Sequence, residues 1–288
     1  MTYQLLLGDY AYSSWSLRGW LLFEKFGLSR AQTMVDFSDK SVGEQLAQFA
    51  PARTVPTMIT PEGAVVSDSL AIGEELASRH PEAGFWPSEP KARATARSLA
   101  AEMHSGFMAL RSDCPMNLRL SYQDAAPSDA VRDDLARLEI IWSHARDTCA
   151  PTGPWLCGDY SVADAMFAPV AARIAGYNLP VGPEAQSYVA AHLADPAFRR
   201  WRAMGMVHGA TLPWYAKDFE TRPWPGPDAM NATPVETGPA ENATCPYSGK
   251  PSTHFLQIDG RTFGMCNAFC RDKTVADPEA WPAFMALL

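Results

Sequence analysis

The stretch YAYSSWSLRGWLL, Tyr10 to Leu22, decides how this chain reads. It joins a short apolar run, Leu5–Leu7, to a segment of helical periodicity, and it places two serines, Ser13 and Ser14, at the joint. A helix start needs one capping hydroxyl, which accepts from a free amide of the first turn. The second serine is surplus to that need. Helix N-termini also hold anions, because their amides are free and the macrodipole is positive there. A hydroxyl at such a point can donate to a thiolate and keep it ionised. Capping by Ser14, with Ser13 in the loop, is the plain alternative.

Outward from this joint, Tyr3–Leu7 reads as a strand, Ser14–Gly27 as a helix closed by Gly27, and Thr33–Phe37 as a second strand, which makes a βαβ unit. TVPTMIT and AVVSD, joined by a turn at Pro61–Gly63, read as a hairpin, and a helix is expected from Ser69 to Arg79. That order belongs to a thioredoxin-like domain over residues 1–80. From 89 to 219 the pattern is helical throughout. Leu99, Met103, Phe107 and Leu110 form one apolar stripe, and Ser161 with Asp164 is a capping box. Residues 220–243, rich in Pro, Gly and small polar residues, read as a linker, and 244–288 as a separate small module. The fold class is therefore α/β plus all-α, with a small appendage that either stands alone or docks on the helices.

The chain has 288 residues and a net charge of -8, which argues against a nucleic-acid or anionic-membrane surface as main partner. No stretch approaches the ~20 apolar residues that span a bilayer. The N-terminus has no basic segment ahead of its short apolar run, so a cytoplasmic protein is expected.

Two further features bear on the serines. A Val-Pro pair, Val55-Pro56, enters a strand, where proline has no amide for the ladder; a cis bond there would turn the Val55 backbone towards a peptide ligand. Asp68 and Ser69 precede a helix, either as caps or as groups that meet a ligand's ammonium and carboxylate.

SSWSLRGWLLFEKFGL (13–28), VPTMI (55–59) and SDSLAIGEEL (67–76) resemble the glutathione-binding elements of the cytosolic glutathione transferases, nearest to the zeta class and related bacterial serine-type enzymes. SVADAMFAPV (161–170) resembles the capping box of that family's helical domain. The match spans residues 1 to about 215. The resemblance implies an enzyme that binds glutathione as co-substrate, with Ser13 activating its sulfur and Ser14 in support. It places Val55 against the cysteinyl backbone with Pro56 cis, Asp68 and Ser69 at the γ-glutamyl end, and Arg53 or Thr54 near the glycine carboxylate. It also implies a homodimer and a detoxifying conjugation of a small electrophile. The zeta class has a cysteine where this chain has Trp15, which bears on the alternative of a maleylacetoacetate-type isomerase.

Arg97, His104 and Arg111 recur every seven residues beside the apolar stripe. Arg97 reads as a solvated face. In the resembled family this helix borders the electrophile pocket, where Arg111 could attract an anionic substrate. Tyr12, Trp15, His104, Phe107 and Met108 are the other candidates for its walls.

Of six cysteines, Cys245, Cys266 and Cys270 crowd the last 45 residues, which suggests a metal site before a disulfide framework. A ligand before a hairpin that turns at Asp259-Gly260, then two at a following helix, is a treble-clef layout and resembles the YHS and TRASH-type segments. Those usually begin Cys-x-x-Cys-Gly; here Ser248 precedes Gly249. A structural zinc wants four ligands, and His254 is the candidate to join the three thiolates. A module that folds around Phe255, Phe263, Phe269 and Trp281 without metal is the alternative. A non-catalytic metal- or partner-binding protein on a transferase scaffold competes with the enzyme.

Overall fold

The structure is a computed structural model and describes residues 2–288. Its first layer is a four-stranded sheet. β1 (Tyr3–Leu7) feeds α1 (Ser14–Glu24), and β2 (Arg30–Met34) returns parallel to β1. After the one-turn α2 (Val42–Gln45), β3 (Thr57–Ile59) and β4 (Val65–Ser67) add antiparallel, giving the order β2-β1-β3-β4, and α3 (Ser69–Arg79) closes the unit. β2 begins three residues before its apolar segment. Pairing of Tyr3 with Arg30 through Leu7 with Met34 sets the register, and Val35 only donates one bond back to Leu7.

The second layer is helical: α4 (Pro90–Ser105), α5 (Met108–Asp113), α6 (Asp129–Cys149), α7 (Val162–Gly176), α8 (Pro183–Ala194) and α9 (Pro196–Val207). Every residue of α7 is buried, and it packs against α1, α4 and α8. The Asp164 carboxylate opens α7 by accepting from the Ser161 amide and hydroxyl, the Leu156 amide and the Tyr188 hydroxyl. The stripe of Leu99, Met103, Phe107 and Leu110 is buried, but not on one helix. Gly106 ends α4 in an extended conformation, and Phe107 turns left-handed (φ 57) before α5 begins.

The segment 220–243 is laid against the helices: Arg222 donates to the carbonyls of Ser121 and Ala175, and Trp224 stacks on Arg202 at 4.4 Å. It also supplies β5 (Ala232–Val235), the edge of a second sheet with β6 (His254–Ile258) and β7 (Arg261–Met265). Backbone pairing orders what composition alone cannot. The β6–β7 turn has positive φ at Asp259 and Gly260. α10 (Ala268–Ala276) and α11 (Pro282–Met285) follow. This appendage docks on the helical layer through α10 and α9. Arg199 grips Asp277 with two bonds of 2.8 and 2.7 Å, and Arg200 bridges the Ala280 carbonyl and Glu24.

Candidate active site

Where α1 faces α5 and α7, a cavity of about 410 Å³ opens, lined among others by Ser13, Ser14, Val55 and Arg173. β1 ends one loop before it, so the loop delivers the N-terminus of α1 to its floor. Ser13 is the cap: its hydroxyl accepts from the Ser16 amide and donates to the Ser16 hydroxyl at 2.8 Å. Ser14 is the first residue of the helix, and its hydroxyl accepts from the Arg173 guanidinium at 3.3 Å. The two serines therefore divide the work. Ser13 spends its proton inside the helix start, whereas Ser14, its lone pair taken by Arg173, keeps a proton to give.

The Val55-Pro56 bond is cis, as is Ala50-Pro51. Val55 reaches the cavity, while Pro56 is buried against α1, so close that a Cβ on Gly19 would lie 2.6 Å from it. Arg53 and Thr54 are exposed beside it. Asp68 caps α3 with positive φ (84), and its carboxylate accepts from the Leu70 and Ala71 amides. Ser69 turns its hydroxyl inward to the Met166 sulfur, so only its backbone faces the position expected of it.

Trp15 organises the electrophile side. The guanidiniums of Arg18 and Arg111 stack on its ring at 4.6 and 4.5 Å, and His104 meets it edge-on at 5.4 Å. His104 in turn lies 3.4 Å from the Asp68 carboxylate, which ties α4 to the start of α3. Arg111 sits on α5, beyond the break after α4, and reaches back to the carbonyls of His104 and Gly106. Met108 is exposed at the rim. Phe107 does not line the cavity; the left-handed turn at this residue sends it into the core. Tyr12 is a wall, its hydroxyl held by the Leu212 amide and its ring against Tyr215.

Two guanidiniums, Arg111 and Arg173, thus line the cavity, and a third, Arg18, is buried behind Trp15. Among the described residues none of Arg18, Arg111 and Arg173 forms an ion pair with a carboxylate. Burial pushes Arg18 down to about 9, with repulsion from Arg173 and Arg111 adding to it. Arg173 is pushed down to about 10 by burial and by Arg111, and burial also lowers Arg111. An anion in the cavity would relieve Arg111 and Arg173, which line it.

A family model described as the glutathione S-transferase N-terminal domain matches residues 12–79. Residues 12–79 therefore carry a glutathione S-transferase N-terminal domain. A probable maleylacetoacetate isomerase of Caenorhabditis elegans is 28% identical to this chain over 155 residues, 52% of the chain and 69% of the relative. Among solved structures, a glutathione transferase homolog from Burkholderia gl BGR1 with bound glutathione superimposes with a TM-score of 0.52 at 24% identity, covering 70% of this chain and 96% of its own. A glutathione transferase from Methylococcus capsulatus gives 0.53 at 22% identity, covering 72% and 100%. At those identities the likeness is one of fold, and it leaves 30% and 28% of this chain uncovered.

Arg173 is the residue that sequence reasoning missed. Its signal was present: a lone arginine in the otherwise apolar AMFAPVAARIAG cannot face lipid-like core unpaired. Phe37, Pro115, Met116 and Tyr215 also line the cavity and carried no signal, because each arrives from a loop.

In the appendage the sulfurs of Cys245, Cys266 and Cys270 all lie within 4.8 Å of one another, and all three cysteines are free. His254 is not among them: as the first residue of β6 it bonds its Nδ1 to the Thr253 hydroxyl at 3.0 Å. The four-ligand set expected from the sequence therefore loses its histidine. No helix among the described residues is long and apolar enough to cross a membrane.

Proposed function

We propose that this glutathione S-transferase enzyme binds glutathione along Val55, Asp68 and the Ser69 amide, with its sulfur at the N-terminus of α1, and adds it to a small electrophile that carries an anionic group. The observation that carries the reading is the Arg173–Ser14 bond, which leaves the Ser14 proton to stabilise a thiolate beside the positive end of α1. The thiolate forms the sulfur–carbon bond; Ser14 holds its charge, Val55 fixes the peptide, and Trp15, Tyr12 and Met108 exclude water. Arg111 and Arg173 orient the anionic end of the electrophile. The test is steady-state conjugation with paired neutral and carboxylate-bearing electrophiles in wild type and Ser14→Ala. The proposal expects the carboxylate member to be preferred and Ser14→Ala to lose most turnover with either. Equal turnover in wild type and Ser14→Ala contradicts it.

A second reading, cis–trans isomerisation, is supported by the name of the nematode relative and by the unpaired arginines, which suit an unsaturated diacid. There the same thiolate adds, the carbon–carbon bond rotates, and the thiolate leaves. Recovery of free glutathione with an isomerised product separates it from conjugation. A cytoplasmic homodimer completes the proposal on the family resemblance, and a monomer by light scattering at micromolar concentration would count against the pairing.

A further inference from the structure

A second and larger cavity, about 900 Å³, opens away from the serines, between the C-terminal parts of α3 and α6 and the start of α4. Two thiols line it, Cys149 and Cys157, and both are free. Seven residues, APTGPWL, separate them. Cys149 is the last residue of α6 and partly exposed; Ala150 then turns left-handed (φ 46) and takes the chain out of the helix. The loop returns to bring Cys157, buried, into side-chain hydrogen-bond contact with Cys149. That return is fixed from both sides. Arg146 donates to the Pro154 carbonyl at 2.8 Å, the Leu156 amide donates to the Asp164 carboxylate at 3.2 Å, and Trp155 and Gly158 form a β-bridge around Cys157. A disulfide requires its sulfurs to close to about 2 Å. Cys157 is held in place, so Cys149, at a helix end beside open space, is the sulfur free to travel.

A buried cysteine packed only among apolar side chains is inert. This pair differs, because one sulfur opens on a cavity and the other stands behind it. Burial pushes the Cys157 thiol up, and the neighbouring Cys149 and Asp164 push it further, so Cys157 stays protonated and does not react first. Once the Cys149 sulfur is part of a disulfide it carries no charge, and its share of that opposition is gone. The two thiols are thereby divided into one that attacks and one that resolves. The cavity is of the size that takes small-molecule ligands, about 300–1,000 Å³, so an oxidant larger than a peroxide has access to Cys149.

We propose that Cys149 and Cys157 form a redox-modification site, oxidised reversibly to a disulfide by a small thiol disulfide of the glutathione type. The Cys149 thiolate attacks one sulfur of glutathione disulfide, forming a mixed disulfide and releasing one glutathione thiolate, which takes up the proton that Cys149 lost. Cys157 gives its proton to solvent and attacks the Cys149 sulfur, and the second glutathione leaves as thiolate and is protonated in turn. Two protein thiols are oxidised, and one glutathione disulfide is reduced to two thiols. The proposal does not rest on the reading of the serine site. Its test equilibrates the reduced full-length protein in glutathione buffers of rising disulfide fraction, quenches with acid, and reads intact mass and peptide maps. Wild type should lose two hydrogens, yield a cross-linked Cys149–Cys157 peptide with no lasting glutathione adduct on Cys149, and return to the dithiol with dithiothreitol. Cys157→Ser should instead retain one glutathione on Cys149, and Cys149→Ser should leave Cys157 unmodified. Absence of the cross-link at every buffer ratio overturns the proposal. So does a lasting adduct on Cys149 of wild type, or one on Cys157 in Cys149→Ser.

Discussion

At the N-terminus of α1 the chain presents the Ser14 hydroxyl, free helix amides and the guanidiniums of Arg111 and Arg173, and no cysteine lines the cavity. In the appendage it gathers three of its own thiols around one ammonium and a ring of N–H and O–H donors. The first region suits a sulfur that arrives and leaves; the second holds sulfurs that stay. In the first, positive charge is ordered in advance; in the second, burial is outweighed at Cys245 by hydrogen bonds from the Tyr247 and Cys266 amides, which hold it down at about 7, while burial pushes Cys270 up to about 12. A mobile ligand needs a field it can enter, whereas resident thiolates can be met at bonding distance.

The comparison breaks first at Ser14. Removing one donor aimed at developing or held charge costs about a hundredfold in kcat, so Ser14→Ala should lose that much in conjugation rate while Cys266→Ser leaves the rate unchanged. Parallel losses in both variants would merge the two sulfur sites into one. Next is Arg173→Met. It strands the buried carbonyls of Cys114 and Pro169 along with the Ser14 hydroxyl, and a urea midpoint should report a loss of about 2–4 kcal/mol. An unchanged midpoint would show that Arg173 serves only the cavity.

Gly19→Ala sharpens the contrast in rigidity. The new Cβ would meet the Pro56 Cβ at 2.6 Å, and overpacking of that kind costs about 1–3 kcal/mol. KM for glutathione should rise with it, because Val55 rides on the displaced segment. A variant as stable as wild type, with the same KM, would contradict that coupling. The smallest effect belongs to Trp15→Leu. Loss of two cation–π contacts worth about 0.5–1 kcal/mol each should raise KM several-fold for anionic electrophiles and leave KM for glutathione alone. A uniform rise for charged and neutral substrates would mean that Trp15 is only a wall.

What could be read from the residues follows a physical line. Local patterns were legible: the strand–helix joint at Ser13, the Asp164 box, the cis Val55-Pro56 bond and the Asp259-Gly260 turn each rest on a few neighbouring residues. Contacts made across the fold were not. The break at Gly106–Phe107 lies inside an unbroken apolar stripe, and periodicity has no term for a left-handed phenylalanine. Arg173 stands nearly 160 positions from Ser14 in the chain, so their hydrogen bond exists only once α7 packs on α1. His254 had the right element and the wrong geometry: opening β6, it bonds locally to Thr253. The segment 220–243 looked featureless because β5 is an edge strand whose order comes from its partner.

The most direct test of the account is the thiol pKa of bound glutathione, read as thiolate absorbance against pH in wild type and Ser14→Ala at saturating glutathione. The free thiol ionises near the ordinary cysteine value of about 8.5. The account predicts a midpoint at least about one unit lower in wild type, returning towards the free value in Ser14→Ala. A bound thiol that titrates as the free one does in both proteins would contradict it.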